Sequence, residues 1–225
     1  MPDLSFEVET AEAVPYAAAP LLAFKLCVSN AVVGEPIHTI ALRCQIMIDP
    51  ARRRYQDDEQ ERLRDLFGEP ERWGQTLRPM LWTHTSVIVP SFTGSSVVDL
   101  QVPCTFDFNV AATKYFAGLT DGEVSLNLLF SGTVFYATDE GALQVAQIPW
   151  DKEARYRLPV AVWQQMMDIY YPNSAWLALR RDVFDRLYRY KVRRGIPTFE
   201  QALESLLPEE ERPDHERPGT EERVH

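Results

Sequence analysis

The 225-residue chain is 45% hydrophobic and 25% charged, carries a formal net charge of −10, and is long enough to bury a full core. That acidity argues against unaided binding to phosphate backbones or anionic lipid, and it fits basic partners better. The first ten residues, MPDLSFEVET, lack the basic and apolar regions of a secretory signal, and no apolar run approaches a membrane span of about 18 residues. A cytoplasmic protein is expected.

The first two-thirds read as β. Phe6–Val8 opens a short strand. In LLAFKLCVSN, Leu22, Phe24, Leu26 and Val28 share one face, and in IHTIALRCQIMID the same holds for Ile40, Leu42, Cys44, Ile46 and Ile48. NAVVGEP between them predicts a β-hairpin. Pro50 to Pro79 interrupts the pattern with a helix, DDEQERLRDLFG, capped by Asp57 or Asp58 and closed by Gly68, its mixed charges reading as a solvated face. Strands resume at WTHTSVIV. Val98, Leu100, Val102, Cys104, Phe106, Phe108 and Val110 then alternate over VVDLQVPCTFDFNV, with Pro103 requiring an edge or a bend. A short helix over AATKYFAGL follows. Next comes a strand through VSLNLLF and GTVFY, broken or bulged at Ser131-Gly132, and a last strand in GALQVAQIPW after a turn near Asp139, Glu140 and Gly141.

Beyond Trp150 the pattern turns helical. LPVAVWQQMMDIYY places Pro159 at a first helical position and Val162, Met166 and Ile169 on one face. After Tyr-Pro-Asn, Ser174 is the expected cap of a helix through WLALRRDVFDRLYRYKVRRG, and PTFEQALESLL adds another with Thr198 and Gln201 in a capping box. The fold expected is α+β: an antiparallel β-sandwich-like body (1–150, with a helical insertion near 55–67), a helical segment (151–207) packed on the sheet, and an acidic tail (208–225) with too little to bury to stay ordered.

The helix at 176–195 holds seven Arg or Lys against two Asp. Leu179, Val183, Leu187 and Tyr190 predict a core-facing stripe. Arg181–Asp185–Arg189 and Asp182–Arg186 predict pairs four apart, and Lys191, Arg193 and Arg194 suit the helix C-terminus before Gly195. The remaining cations could hold residues 200–225, which carry nine acids against three arginines. Trp, Tyr and Arg are the residues enriched at binding hot spots, so Trp176, Arg180, Tyr188, Arg189 and Arg193 are the candidate partner-binding residues.

Catalytic and metal signatures are not found. Four histidines show no metal-ligand spacing, and there is no nucleophile elbow, Walker loop or dinucleotide fingerprint. Cys27, Cys44 and Cys104 suggest reduced, hydrophobic cysteines rather than a disulfide framework. No catalytic residue, cofactor or metal is assigned, and nucleic acid is not the expected partner. An enzyme would have to assemble Cys27, Cys44 or Cys104 with His38 or His84 from distant positions.

Two resemblances bear on function. PLLAFKLCVSN, IHTIALRCQI, VPCTFDFNVAATKYFAGL, LLFSGTVFY, VAQIPWDKEARYRLPVAVWQQMMDIYYPN and WLALRRDVFDRL resemble an uncharacterised actinobacterial family. That resemblance implies genes near those of uptake nickel-iron hydrogenases. It also implies an accessory or assembly role with a hydrogenase subunit or maturation factor as partner. The Tyr171-Pro172-Asn173 break, the helix through Arg194, and Gly195 with Pro197 also resemble SecB-type chaperones, which implies the alternative of holding unfolded polypeptides. The insertion from Pro50 to Val97 departs from that second pattern.

Overall fold

Alternation in the sequence becomes eight antiparallel strands, in a computed structural model that describes residues 2–105, 110–138, 141–174, 177 and 179–207. The strands are β1 (Leu4–Ala13), β2 (Leu21–Asn30), β3 (Ile37–Ile48), β4 (Met80–Val89), β5 (Ser95–Pro103), β6 (Glu123–Ala137), β7 (Leu143–Gln147) and β8 (Glu153–Pro159). One sheet has the order β1-β2-β5. The other has the order β4-β3-β6-β7, with β8 also pairing with β6. The two face each other as a β-sandwich, so the protein is α+β as the pattern predicts.

The inward faces match the period-2 reading. Leu22, Phe24, Leu26 and Val28 from one sheet, and Ile40, Leu42, Cys44, Ile46 and Ile48 from the other, are all buried. Rings bridge the layers: Phe6 stacks on Phe130 at 4.3 Å, and Phe24 lies 6.3 Å from Trp82 and 5.7 Å from Tyr156. Burying such side chains contributes roughly 1.5–3 kcal/mol each, so this interior dominates stability.

Pairing departs from the sequence expectation. β2 and β3 form no hairpin: β2 pairs with β1 and β5, while β3 pairs with β4 and β6. Both strands are apolar enough to sit in the middle of a sheet, and consecutive central strands of a sandwich satisfy that best in opposite layers. Pro103 ends β5, an edge strand of its sheet, which suits a residue that cannot donate to a ladder. The alternating run stops there. Phe106 and Phe108 lie outside the described residues, and Val110 is the exposed first residue of a helix, α3 (Val110–Ala117), rather than an inward strand position.

β6 is neither broken nor bulged at Ser131-Gly132. Its register with β3 runs unbroken from Thr133 to Leu126, and at Ser131-Gly132 its other edge changes neighbour from β8 to β7. Gly132 sits at φ 144°, and a Cβ there would stand 2.1 Å from the Ala41 carbonyl oxygen. Only glycine lets the two strands close at this point. The turn expected at Asp139 and Glu140 lies outside the described residues.

β8 is a strand where helix was expected. Ala154, Tyr156 and Leu158 point inward and Arg155 and Arg157 outward, so its alternation is carried by one small residue, one half-buried ring and a single leucine. The helix α4 (Val160–Tyr170) starts directly from it, with Pro159 as the extended residue before the first turn. Val160, Trp163 and Met166 are its buried residues; Val162 is half-buried and Ile169 exposed, a face rotated from the one predicted. Trp163 stacks on Phe116 at 5.4 Å, and the Tyr170 hydroxyl closes the loop before β2 by donating to the Val14 carbonyl and accepting from the Ala17 N–H. α4 thus packs on the body.

The insertion after β3 holds α1 (Asp57–Phe67) and α2 (Trp73–Thr76). Gln56, not Asp57 or Asp58, is the cap: its backbone is extended and its N–H donates to Glu59 Oε2 at 3.1 Å. Gly68 closes the helix as expected. The chain divides into two compact units, Met1–Ala175 and Trp176–His225. No helix among the described residues is long and apolar enough to cross a membrane.

Candidate functional site

The second unit contains α5 (Arg181–Arg194) and α6 (Phe199–Glu204). Ser174 does not cap α5. It belongs to a local turn: its N–H bonds the Tyr171 carbonyl and its Oγ donates to the Pro172 carbonyl, beside Asn173 at φ 54°. The helix begins six residues later than that cap would set, with Arg180 extended at the N-cap. Gly195, left-handed at φ 64°, ends it, and Lys191 Nζ donates to the Ile196 and Pro197 carbonyls just beyond. Thr198 Oγ1 accepts from the Gln201 N–H at 3.2 Å, the predicted cap of α6. Lys191 also sits 5.5 Å from the Phe199 ring, and Arg194 the same distance from Tyr190.

The stripe expected to face a core is largely uncovered. On α5 only Leu187 is buried; Leu179 is exposed, and Val183 and Tyr190 are half-buried. Together with Val192, Leu203 and Leu206 they floor a groove of about 830 Å³. Arg186, Arg189 and Arg193 line it. Arg189 Nε bonds the Asp185 carbonyl and Arg193 Nε the Arg189 carbonyl, which holds both guanidinium groups along the helix without neutralising them. The Arg181–Asp185–Arg189 and Asp182–Arg186 ion pairs are not formed among the described residues. The ion pair at this helix is Arg180 to Asp182, 3.1 Å, at the exposed N-terminus.

Of the predicted residues, Tyr188, Arg189 and Arg193 therefore come together on the groove. Tyr188 is 51% exposed, with its ring 6.5 Å from Phe199. Arg180 is occupied by Asp182, and Trp176 lies outside the described residues, as does the tail from 208. Sequence reasoning missed Arg186, Leu203 and Leu206. Arg186 was assigned to an ion pair, while the two leucines depend on how α6 folds against α5.

The cysteine–histidine alternative is not assembled. Cys44 points into the sandwich opposite Thr85, whereas His84 is exposed on the other face opposite Gln45, and His38 is also exposed. Burial pushes the Cys44 and Cys104 thiols up to about 12, far from the thiolate a nucleophile needs. All three cysteines are free, and no cluster of metal-ligating side chains exists among the described residues.

A second polar constellation lies in the body. Glu59, read from sequence as part of a solvated face, is 0% exposed. Its carboxylate accepts from Arg53 Nη2 at 2.7 and 2.8 Å, from the Thr120 N–H at 2.9 Å and Oγ1 at 3.3 Å, and from the Gln56 N–H. Burial opposes its charge, but the Thr120 and Gln56 amides and the Arg53 guanidinium outweigh that and hold the carboxyl below its ordinary range. Arg53 also donates to the Asp121 carbonyl at 3.2 Å and covers the Tyr55 ring at 5.1 Å. Both charges are spent on each other and on backbone. The constellation is a clamp joining the insertion to the turn before β6.

No curated protein matches the chain. Among solved structures, a Bordetella pertussis protein described provisionally as ApaA is 13% identical, covering 70% of this chain and 93% of its own, with a TM-score of 0.23. A superposition that loose supports no argument. One family model does span the chain, over residues 1–215: the protein belongs to the family of unknown function DUF6084.

Proposed function

We propose that the protein is a non-enzymatic binding module whose helical unit docks an acidic, amphipathic segment of a protein partner. One observation carries this: an apolar floor lined by three arginines, Arg186, Arg189 and Arg193, with no carboxylate paired to them among the described residues. A helix laid in such a groove would bury apolar side chains at i, i+3, i+4 and i+7 and present carboxylates to the rim. Arginine is suited to that role because its planar fork takes a carboxylate bidentately. A nucleic acid would use the arginines and leave the apolar floor wet, in a chain of net charge −10.

The test is a labelled 18-residue helical peptide with leucines on one face and glutamates beside them. Binding should be micromolar, weaken with salt, and fall at least tenfold in an Arg189→Glu/Arg193→Glu variant, since two rim charges at 1.4 kcal/mol per decade suffice. Equal binding by both proteins would sink the proposal. On the sequence resemblance given above, the partner proposed is a subunit or maturation factor of a nickel-iron hydrogenase in the cytoplasm. Capture of such a subunit should show the same sensitivity to charge reversal.

A second reading, a chaperone that holds unfolded chains, is favoured by the exposure of Tyr188 and Leu206 on the groove and of Phe184 on the same helix. It requires suppression of aggregation of unrelated clients, lost in Phe184→Asp/Tyr188→Asp. A protein with no such effect on any client removes it.

A further inference from the structure

Among the described residues, the outer edge of β7 in the five-stranded sheet has no strand paired to it. Thr138 N–H bonds the Ala142 carbonyl and Ile148 N–H the Gly132 carbonyl, both at 2.9 Å, with Ala146 opposite Val134 and Gln144 opposite Tyr136 between them. The even-numbered residues of β7 therefore bond to β6. By the antiparallel pattern, the N–H and C=O of Leu143, Val145 and Gln147 point the other way. β7 pairs with β6 alone among the described residues. β8 occupies the same side of β6 but a different stretch of it, Glu123–Leu129.

Sheet edges are commonly protected by a charge, a proline or a bulge. The strand LQVAQ has no charge and no proline, and its register with β6 is unbroken. Leu143 is 62% exposed and Val145 56% exposed, on the same outward face. Pro149, without an N–H, closes the edge two residues further on.

We propose that β7 is a homodimerisation edge: two copies join antiparallel about Val145, making one continuous sheet across the molecular two-fold. The match is self-complementary. Pairing Val145 with its copy places Leu143 opposite the second Gln147. Each copy's three free N–H groups then meet the other's three carbonyls, six hydrogen bonds in all. Val145 meets Val145 and Leu143 meets a glutamine, so no like charges are opposed. The alternative two-fold, through α5, would bring together two helices that each hold six Arg or Lys against two Asp. A five-residue strand pair buries less than the roughly 1,600 Å² of a standard interface, so a Kd on the order of 10–100 µM is expected. Because each copy carries −10, added salt should tighten the dimer by screening.

Sedimentation velocity of the full chain from low micromolar to several hundred micromolar tests this. Wild type should pass from monomer to dimer, and more readily in 0.5 M salt. Val145→Pro removes the central outward N–H and none of the bonds to β6; Val145→Lys opposes two ammonium groups. Both should stay monomeric with an unchanged thermal melt. Val145→Cys should form a disulfide dimer under mild oxidation, because directly opposed Cα atoms lie about 5.5 Å apart, while Gln144→Cys should not. That cross-link reads the contact even if the proline or lysine variant unfolds. A monomer at every concentration with no Val145→Cys cross-link, or a dimer untouched by both other substitutions, overturns the proposal.

Discussion

Replacing Glu59 with Gln perturbs one charge in a fully buried site. The carboxylate accepts from the Arg53 guanidinium, two backbone amides and a hydroxyl, at 2.7 to 3.3 Å. The amide keeps one acceptor oxygen. Its NH2 must face donors that were satisfied before, and Arg53, with a side chain only 9% exposed, keeps its charge with no counter-ion. Breaking a buried ion pair from one side costs about 3–5 kcal/mol, against roughly 1 kcal/mol or less for an exposed pair. At about 2–4 °C per kcal/mol for a domain of this size, the melting temperature should drop by roughly 6–20 °C.

The pH dependence supplies a second readout. Glu59 titrates lower in the folded chain than the roughly 4.3 of an unfolded glutamate. Its contribution is therefore complete above that unfolded value and lost as pH falls through the folded one. Urea titrations from pH 7 down to pH 3 should show the gap between wild type and Glu59→Gln closing in the acid range. A loss under 1 kcal/mol at pH 7, or a gap that stays constant to pH 3, refutes the view that this carboxylate is an ionised clamp.

Other outcomes follow from the packing. Gly132→Ala should cost more than about 4 kcal/mol or abolish soluble protein, since its Cβ would stand 2.1 Å from the Ala41 oxygen at φ 144°; circular dichroism and urea midpoints read this. Gly195→Ala, in open space but at φ 64°, should cost only about 1 kcal/mol and fray the end of α5, visible as faster amide exchange after Lys191. At pH 8 a thiol reagent should label Cys27 in the native protein and all three cysteines in urea, because burial holds the Cys44 and Cys104 thiols near 12. Burial and the neighbouring Glu9 and Glu7 raise the Cys27 thiol as well, so even that labelling should be slow.

Faces were more legible in the sequence than partners. A two-residue period shows which way Leu22 or Ile46 points, because side-chain direction is a local property of an extended chain. It says nothing about the neighbouring strand, so the hairpin expected between β2 and β3 failed although both strands were correctly placed. β8 was missed because Arg155 and Arg157 dilute its alternation. Val110 continued the alternating pattern and yet begins a helix. The Glu59 clamp was out of reach for a different reason: Thr120 is 61 residues away, and a charged residue in a mixed-charge helix looks solvated until its partner folds over it. At the candidate site the amphipathic pattern of α5 was plain. Pattern shows which residues want covering and cannot show whether anything in the same unit covers them.

The position of β6 has a consequence for biosynthesis. β3 cannot complete its place in the sheet until the chain has been made through Ala137, 89 residues after Ile48 (137 − 48). At translation rates of about 5–20 residues per second, that is roughly 4–18 s during which Ile40, Leu42, Ile46 and Ile48 have at most β4 beside them and lack their second flanking strand. The strands of the three-stranded sheet are all made by Pro103, earlier than this. A nascent chain arrested between β5 and β6 should thus hold one finished layer and one sticky, half-built layer, and it should be the species that ribosome-associated chaperones engage.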